Sequence, residues 1–258
     1  MKIFDAHTHI SADQKHELED LLETGGFAAA ISTSSPEEAS FAFELKRKHR
    51  NVYVTAGVHP WRADTVELAD MLPFISQADA VGEIGLDSVW GSVNMEIQRR
   101  IFLEQLALAH SLCKPIVLHT KGCEAEIAEM VSDFEHPLLV HWYSAPDLYP
   151  GYLRENCFFT IAPDLRGPAQ RNVAEKIPLE RLMAESDGAG SLDWVRLGKP
   201  AVLPKGELRS GIADIPPALE KTVRAIAKIK GTEEKETAAA LYDNAKRFYR
   251  HRSAIYRA

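Results

Sequence analysis

Seven residues able to bind a metal or move a proton stand where short apolar runs of this chain turn polar. They are His7 and His9 in "KIFDAHTHI", His59 in "VYVTAGVHP", Glu83 in "AVGEIGLD", His119 in "PIVLHT", His141 in "PLLVHWYS" and Asp187 in "LMAESDG". Imidazole and carboxylate donors without a thiolate match the ligands of hydrolytic sites that use Zn, Mn or Mg. Each residue alone is more often a hydrogen-bonded or surface residue at a strand end than a ligand. Gathered at one mouth, His7, His9, Glu83, His119, His141 and Asp187 would be costly to bury without counter-charge, and two divalent cations would offset that cost. Alternate side chains of a strand share a face, which groups Asp5 with His7 and His9, as a carboxylate that orients the histidines or as part of a polar core.

The elements that must position these residues follow a regular rhythm. Eight apolar runs read as strands, the six quoted above together with "FAAAIST" and "CFFTIAP", and helical patterns separate them. "SSPEEASFAFELKRKHR" carries Ser35 as N-cap, Pro36 at the first helical position and Glu38 three residues past the cap, with a basic end that complements the helix dipole. "MEIQRRIFLEQLALAHSL" places Ile97, Ile101, Leu106 and Leu108 among its apolar positions, and "PPALEKTVRAIAKIKG" and "TEEKETAAALYDNAKRFYR" close the series. Eight strand–helix units predict an α/β fold, a single (β/α)8 TIM-type barrel domain over residues 1–258 with room for distortion, and an open doubly wound sheet is the alternative. In a barrel the carboxyl ends of the strands converge, so residues far apart in sequence meet there. The Gly- and Pro-rich segment from Gly188 to Pro217 is long for a connection and reads as a lid or as a loop with small elements of its own.

With 258 residues, 45% of them hydrophobic, the chain can bury a large core. A formal net charge of -7 argues against wrapping nucleic acid by bulk electrostatics, yet leaves a nucleic-acid substrate open, because bound cations can hold a phosphate. Asp5, His7 and His9 interrupt any secretory signal, and no apolar run approaches the roughly 20 residues that cross a bilayer. Cys113, Cys123 and Cys157 form no Cys-x-x-Cys pair and suit a reduced, cytoplasmic chain. No heptad or apolar stripe marks a stable protein partner.

The runs "FDAHTHI", "GVHP", "GEIGLD", "KPIVLHT", "VHWYS", "ERLMAESD" and "YDNAKRFY", in that order from Met1 to about Arg250, resemble the TatD family of metal-dependent hydrolases within the amidohydrolase superfamily. "GEIGLD" and the His-x-His opening are the most specific of them. The resemblance implies a deoxyribonuclease that removes nucleotides from DNA ends with two divalent ions, Zn, Mn or Mg. It implies that His7 and His9 bind one ion, that His119 and His141 bind the other, and that Glu83 bridges them. Asp187 would join His7 and His9 on the first ion and take the proton of the attacking water. His59, near the scissile phosphate, would bind substrate.

The substrate side departs from the family pattern. Lys121 and Gly122 stand where Arg-Asp is common, and lysine cannot form arginine's two-pronged contact to phosphate. Trp61 replaces a second histidine after "HP" and reads either as a lid or core aromatic or as a stacking platform. The eighth strand runs on into "ESDGAGS", with Gly188, Ala189 and Gly190 in place of the family's "A-P-Y". Lys205, Arg209 and the basic, aromatic tail "KRFYRHRSAIYRA" are further candidates for nucleic-acid contact, though solvated charges and a helix end account for them as well. Three functions follow: a nuclease, a hydrolase of a small ester, amide or lactone on the same architecture, and a non-catalytic metal-binding protein.

Overall fold

Runs rich in Val, Ile, Ala and Phe, each too short for a stable helix, form the parallel strands of a barrel. A computed structural model describes residues 1–163, 165, 167–197 and 210–251. The strands are β1 (Ile3–Thr8), β2 (Phe27–Thr33), β3 (Val52–Ala56), β4 (Ala80–Gly85), β5 (Ile116–His119), β6 (Leu138–Val140), β7 (Cys157–Ile161) and β8 (Leu182–Ala184). They pair in sequence order, as expected for the (β/α)8 fold and not for an open doubly wound sheet. Helices α1 (Lys15–Glu23), α2 (Pro36–Lys48), α3 (Leu68–Gln77), α4 (Met95–Ser111), α5 (Glu124–Met130) and α6 (Pro168–Lys176) lie between them; α7 (Ala189–Leu197), α8 (Ile215–Lys230) and α9 (Glu234–Tyr249) follow β8. Among the described residues no helix is long and apolar enough to cross a membrane.

Two apolar layers result. The inner one draws on all eight strands, with Phe4, Ala30, Val117 and Met183 among its members, and Phe248 and Tyr249 of α9 close it from below. The outer one, including Ile31, Val81, Ile84 and Leu118, faces the helices. Local signals set the helix ends. The Glu38 N–H donates to Ser35 Oγ at the start of α2, as anticipated, while the Glu38 carboxylate accepts from the N–H and hydroxyl of Ser34, one residue earlier than a capping box requires.

β1 and β8 meet at the seam of the nearly closed barrel through a few specific bonds. Asp187 N–H donates to the His7 carbonyl at 3.0 Å, and Ser186 donates its N–H and its hydroxyl to the Asp5 carboxylate at 2.8 and 2.5 Å. Asp5 is thus a clasp across the seam. Its grouping with His7 on one face is corrected by the strand register. Asp5 pairs with Ala29 and Thr8 with Ile31, so Ala6 and His7 together stand opposite Ala30. This bulge turns His7 inward while Asp5 stays on the outer face. β4 does the same: Val81 pairs with Ile116 and Ile84 with Leu118, and the shift between them sends Glu83 inward.

The long segment after Asp187 begins as helix α7, so it carries an element of its own. Lys205 and Arg209, and the tail beyond His251, lie outside the described residues.

Candidate metal centre

The strand ends bring all seven residues singled out by chemistry to one mouth, arranged around Glu83, which is buried near the axis. Its Oε2 lies 3.3 Å from His7 Nε2 and 3.4 Å from His9 Nε2. Its Oε1 lies 2.6 Å from His119 Nδ1 and 2.8 Å from His141 Nε2. Asp187 Oδ1 is 3.6 Å from His7 Nε2 and 3.5 Å from His9 Nε2, while Ser191 donates to its Oδ2 at 2.9 Å. Burial alone would raise the pKa of Glu83, but the surrounding imidazoles, foremost His141, hold it well below the ordinary value. Burial lowers the pKa of His7, whereas at His9 and His119 it is outweighed by bonds to Glu83 and, for His119, to Asp87.

Donor atoms this close suit a cation. Three overlapping groups have ligand atoms within 4.8 Å of one another: His7, His9 and Glu83; His7, His141 and Asp187; His59, Glu83 and His119. Both ring nitrogens of His7 are buried without a hydrogen bond, an expensive state for an imidazole unless a cation takes the one lone pair that its neutral ring offers. The residues present therefore fit a divalent metal.

His59 enters the third group at 3.5 Å from Glu83 Oε1, closer to the centre than a contact for substrate alone requires. Its protonation separates it from the ligands. The Trp61 backbone N–H donates to His59 Nδ1 at 3.1 Å, and burial pushes the ring's pKa down to about 4. A neutral ring accepting at Nδ1 carries its proton on Nε2, so His59 presents a donor to the centre.

Several supporting residues escaped sequence reasoning. Asp87, the last residue of "GEIGLD", accepts from His119 Nε2 at 2.9 Å and so turns His119 Nδ1 toward Glu83. It also accepts from the Trp61 indole and from the N–H groups of Val89 and Trp90. Glu185 stands 3.4 Å from His141 Nδ1 and accepts from the Trp142 N–H, holding Trp142 at a φ of 36°, rare for a bulky residue. Gln98 and Gln105, two turns apart on α4, clamp backbone: Gln98 at Asp87 and Val93, Gln105 at both polar groups of Val58. Their spacing on an otherwise apolar face was the available signal.

Above the centre opens a cavity of about 820 Å³. Lys121 lies in its wall, where its ammonium donates to Ser144 Oγ and sits 4.3 Å from the centre of the Trp90 ring. Gly122 follows at φ +72°, and a Cβ there would come within 2.4 Å of Ser88 Oγ, which accounts for glycine at this position. Trp61 is 42% exposed and lines the same cavity, which rules out its reading as a core aromatic.

Comparison with known proteins agrees with the barrel fold. An uncharacterized metal-dependent hydrolase of Methanocaldococcus jannaschii is 29% identical over 98% of both chains. A protein of Enterobacter lignolyticus named 3'-5' ssDNA/RNA exonuclease TatD is 27% identical over 72% of this chain and 78% of its own length. The crystal structure of a TatD homologue from Escherichia coli superposes with a TM-score of 0.78 at 20% identity, covering 97% of this chain and 98% of the other. The family model described as TatD related DNase matches residues 4–250, and the chain belongs to the TatD family of metal-dependent hydrolases.

Proposed function

We propose that this protein hydrolyses phosphodiester bonds at the end of a single nucleic-acid strand, with DNA the expected polymer. The observation that carries the reading is the division of Glu83: one oxygen faces His7 and His9, the other His119 and His141. His7, His9, Asp187 and Glu83 would hold one divalent ion, and His119, His141 and Glu83 a second. Such ions supply Lewis acidity, lowering the pKa of water and stabilising charge on the attacking and leaving oxygens.

The chain's own groups then divide the work. Asp187, with Oδ2 tied to Ser191 and Oδ1 turned to the centre, takes the proton of the attacking water. The water oxygen bonds to phosphorus, the ester P–O bond breaks, and the proton passes to the leaving oxygen. His59 donates from Nε2 to a phosphate oxygen, a role suited to a ring that stays neutral. Lys121 supplies positive charge beside the reacting group. The relative named as an ssDNA/RNA exonuclease supports this substrate class. The aromatic cavity wall favours a second reading, a small aromatic ester hydrolysed by the same groups.

End-labelled single-stranded DNA and RNA, and 4-nitrophenyl esters, incubated with Zn, Mn or Mg test the two readings side by side. Release of mononucleotides, abolished in Glu83→Gln, is expected. Ester hydrolysis without release of any nucleotide would replace the nuclease reading by the second one.

A further inference from the structure

The chain contains four tryptophans, and all four, Trp61, Trp90, Trp142 and Trp194, line the cavity above the candidate metal centre. They arrive independently, after β3, after β4, after β6 and on α7. Trp61 and Trp90 leave 42% and 44% of their surface exposed, an unusual placement for indoles outside binding sites.

One carboxylate holds the Trp61 ring and the Trp90 backbone. Asp87 accepts from the Trp61 indole at 2.7 Å through Oδ2 and from the Trp90 N–H at 2.7 Å through Oδ1, while Oδ2 also meets His119. Gly91 lets the Trp61 ring pack close, since a Cβ there would come within 2.8 Å of Trp61 Cδ1. The Trp194 ring approaches Trp90 edge to face, 5.9 Å between centres. Among the described lining residues the lysines and arginines are Lys121 and Arg62, and Arg62 is paired with Glu38 at 2.9 Å. A groove that tracks a phosphate backbone needs a run of cations, whereas this wall offers flat faces at a fixed distance from a metal ligand.

We propose that these tryptophans form a subsite for a single nucleobase, that of the strand's terminal nucleotide, stacked on Trp61 and Trp90 so that its phosphate reaches the centre around Glu83. The inference rests on the nuclease reading and narrows it. Recognition is by stacking, so all bases are accepted.

Because every tryptophan lines the cavity, fluorescence excited at the red edge of the tryptophan band, where nucleotides do not absorb, reports on this site alone. Titrating the zinc-loaded protein with deoxyadenosine monophosphate should give saturable quenching that deoxyribose 5-phosphate does not produce. In steady-state cleavage, a strand ending in an abasic site should show a KM about tenfold above that of the same strand ending in a base. Trp90→Leu, which keeps the backbone bond to Asp87, should erase that difference, and Trp194→Leu should reduce it. Equal quenching by the two phosphates, or equal KM for the two strands in the parent protein, overturns the subsite. Quenching by 1-naphthyl phosphate but not by deoxyadenosine monophosphate overturns its assignment to a nucleobase. If no strand is cleaved the nuclease reading fails, and the mononucleotide titration still decides the subsite by itself.

Discussion

Asp87 Oδ2 stands 2.9 Å from His119 Nε2 and leaves the opposite nitrogen of that ring 2.6 Å from Glu83. A carboxylate behind a ligating imidazole fixes the tautomer and raises the basicity of the free nitrogen. If the centre holds two ions as proposed, Asp87→Ala should therefore weaken one site by about 10- to 100-fold and leave the other near its parent affinity. Calorimetric titration of the metal-free protein with Zn resolves the two steps. Equal weakening of both would show that Asp87 acts on the whole mouth and not through His119.

Metal removal should cost stability as well as activity. The buried ring nitrogens of His7 make no hydrogen bond within the protein, so metal binding satisfies a group that the metal-free protein leaves without one. Metal at about 1,000 times its Kd adds about 4 kcal/mol, or on the order of 10 °C in a domain of this size. Thermal melts with chelator and with added Zn measure the shift, and Glu83→Gln should lose most of it.

The seam clasp makes a separate prediction. Ser186→Ala removes the hydroxyl that bonds to a fully buried Asp5 and should cost about 1–3 kcal/mol in urea unfolding. An unchanged midpoint would mean that the backbone N–H of residue 186 satisfies Asp5 unaided.

Gln105 holds both polar groups of Val58, next to His59, and is fully buried. Gln105→Leu leaves that N–H and carbonyl unpaired, so a loss of about 2 kcal/mol is expected together with a raised KM. A KM unchanged within twofold would separate the clamp from substrate binding.

Burial pushes the Cys157 thiol from about 9 up to about 12. Its unfolded form thus loses its proton first, and stability conferred by the protonated folded thiol is present below about pH 9 and declines between about pH 9 and 12. Cys157→Ala should flatten that alkaline decline in denaturation series. At pH 8, iodoacetamide should label the half-buried Cys113 and spare Cys157, as peptide mapping would show.

Much of this centre was legible because a barrel converts strand order into convergence. Apolar runs ending in His119 or His141 name both the strand and the group at its mouth. Asp5 was misplaced because alternation assumes an unbroken ladder, and the bulge spanning Ala6 and His7 is a property of pairing with β2. Asp87 and Glu185 sit beside ligands in sequence, where a carboxylate that orients a histidine looks the same as one that meets solvent. The four tryptophans lie far apart along the chain, and nothing in their local patterns predicts that three segments after different strands and helix α7 bring them together.

The Tyr249 hydroxyl, near the end of α9, donates at 2.6 Å to the carbonyl of Ala6, the neighbour of His7, and its ring stacks on Phe4. During synthesis on the ribosome, β1 is made long before its neighbours β8 and α9. His7 and His9 are thus among the first site residues to be translated and the last to be locked in place. The bond from Tyr249 to Ala6 means that the strand carrying His7 is not fully held until α9 docks.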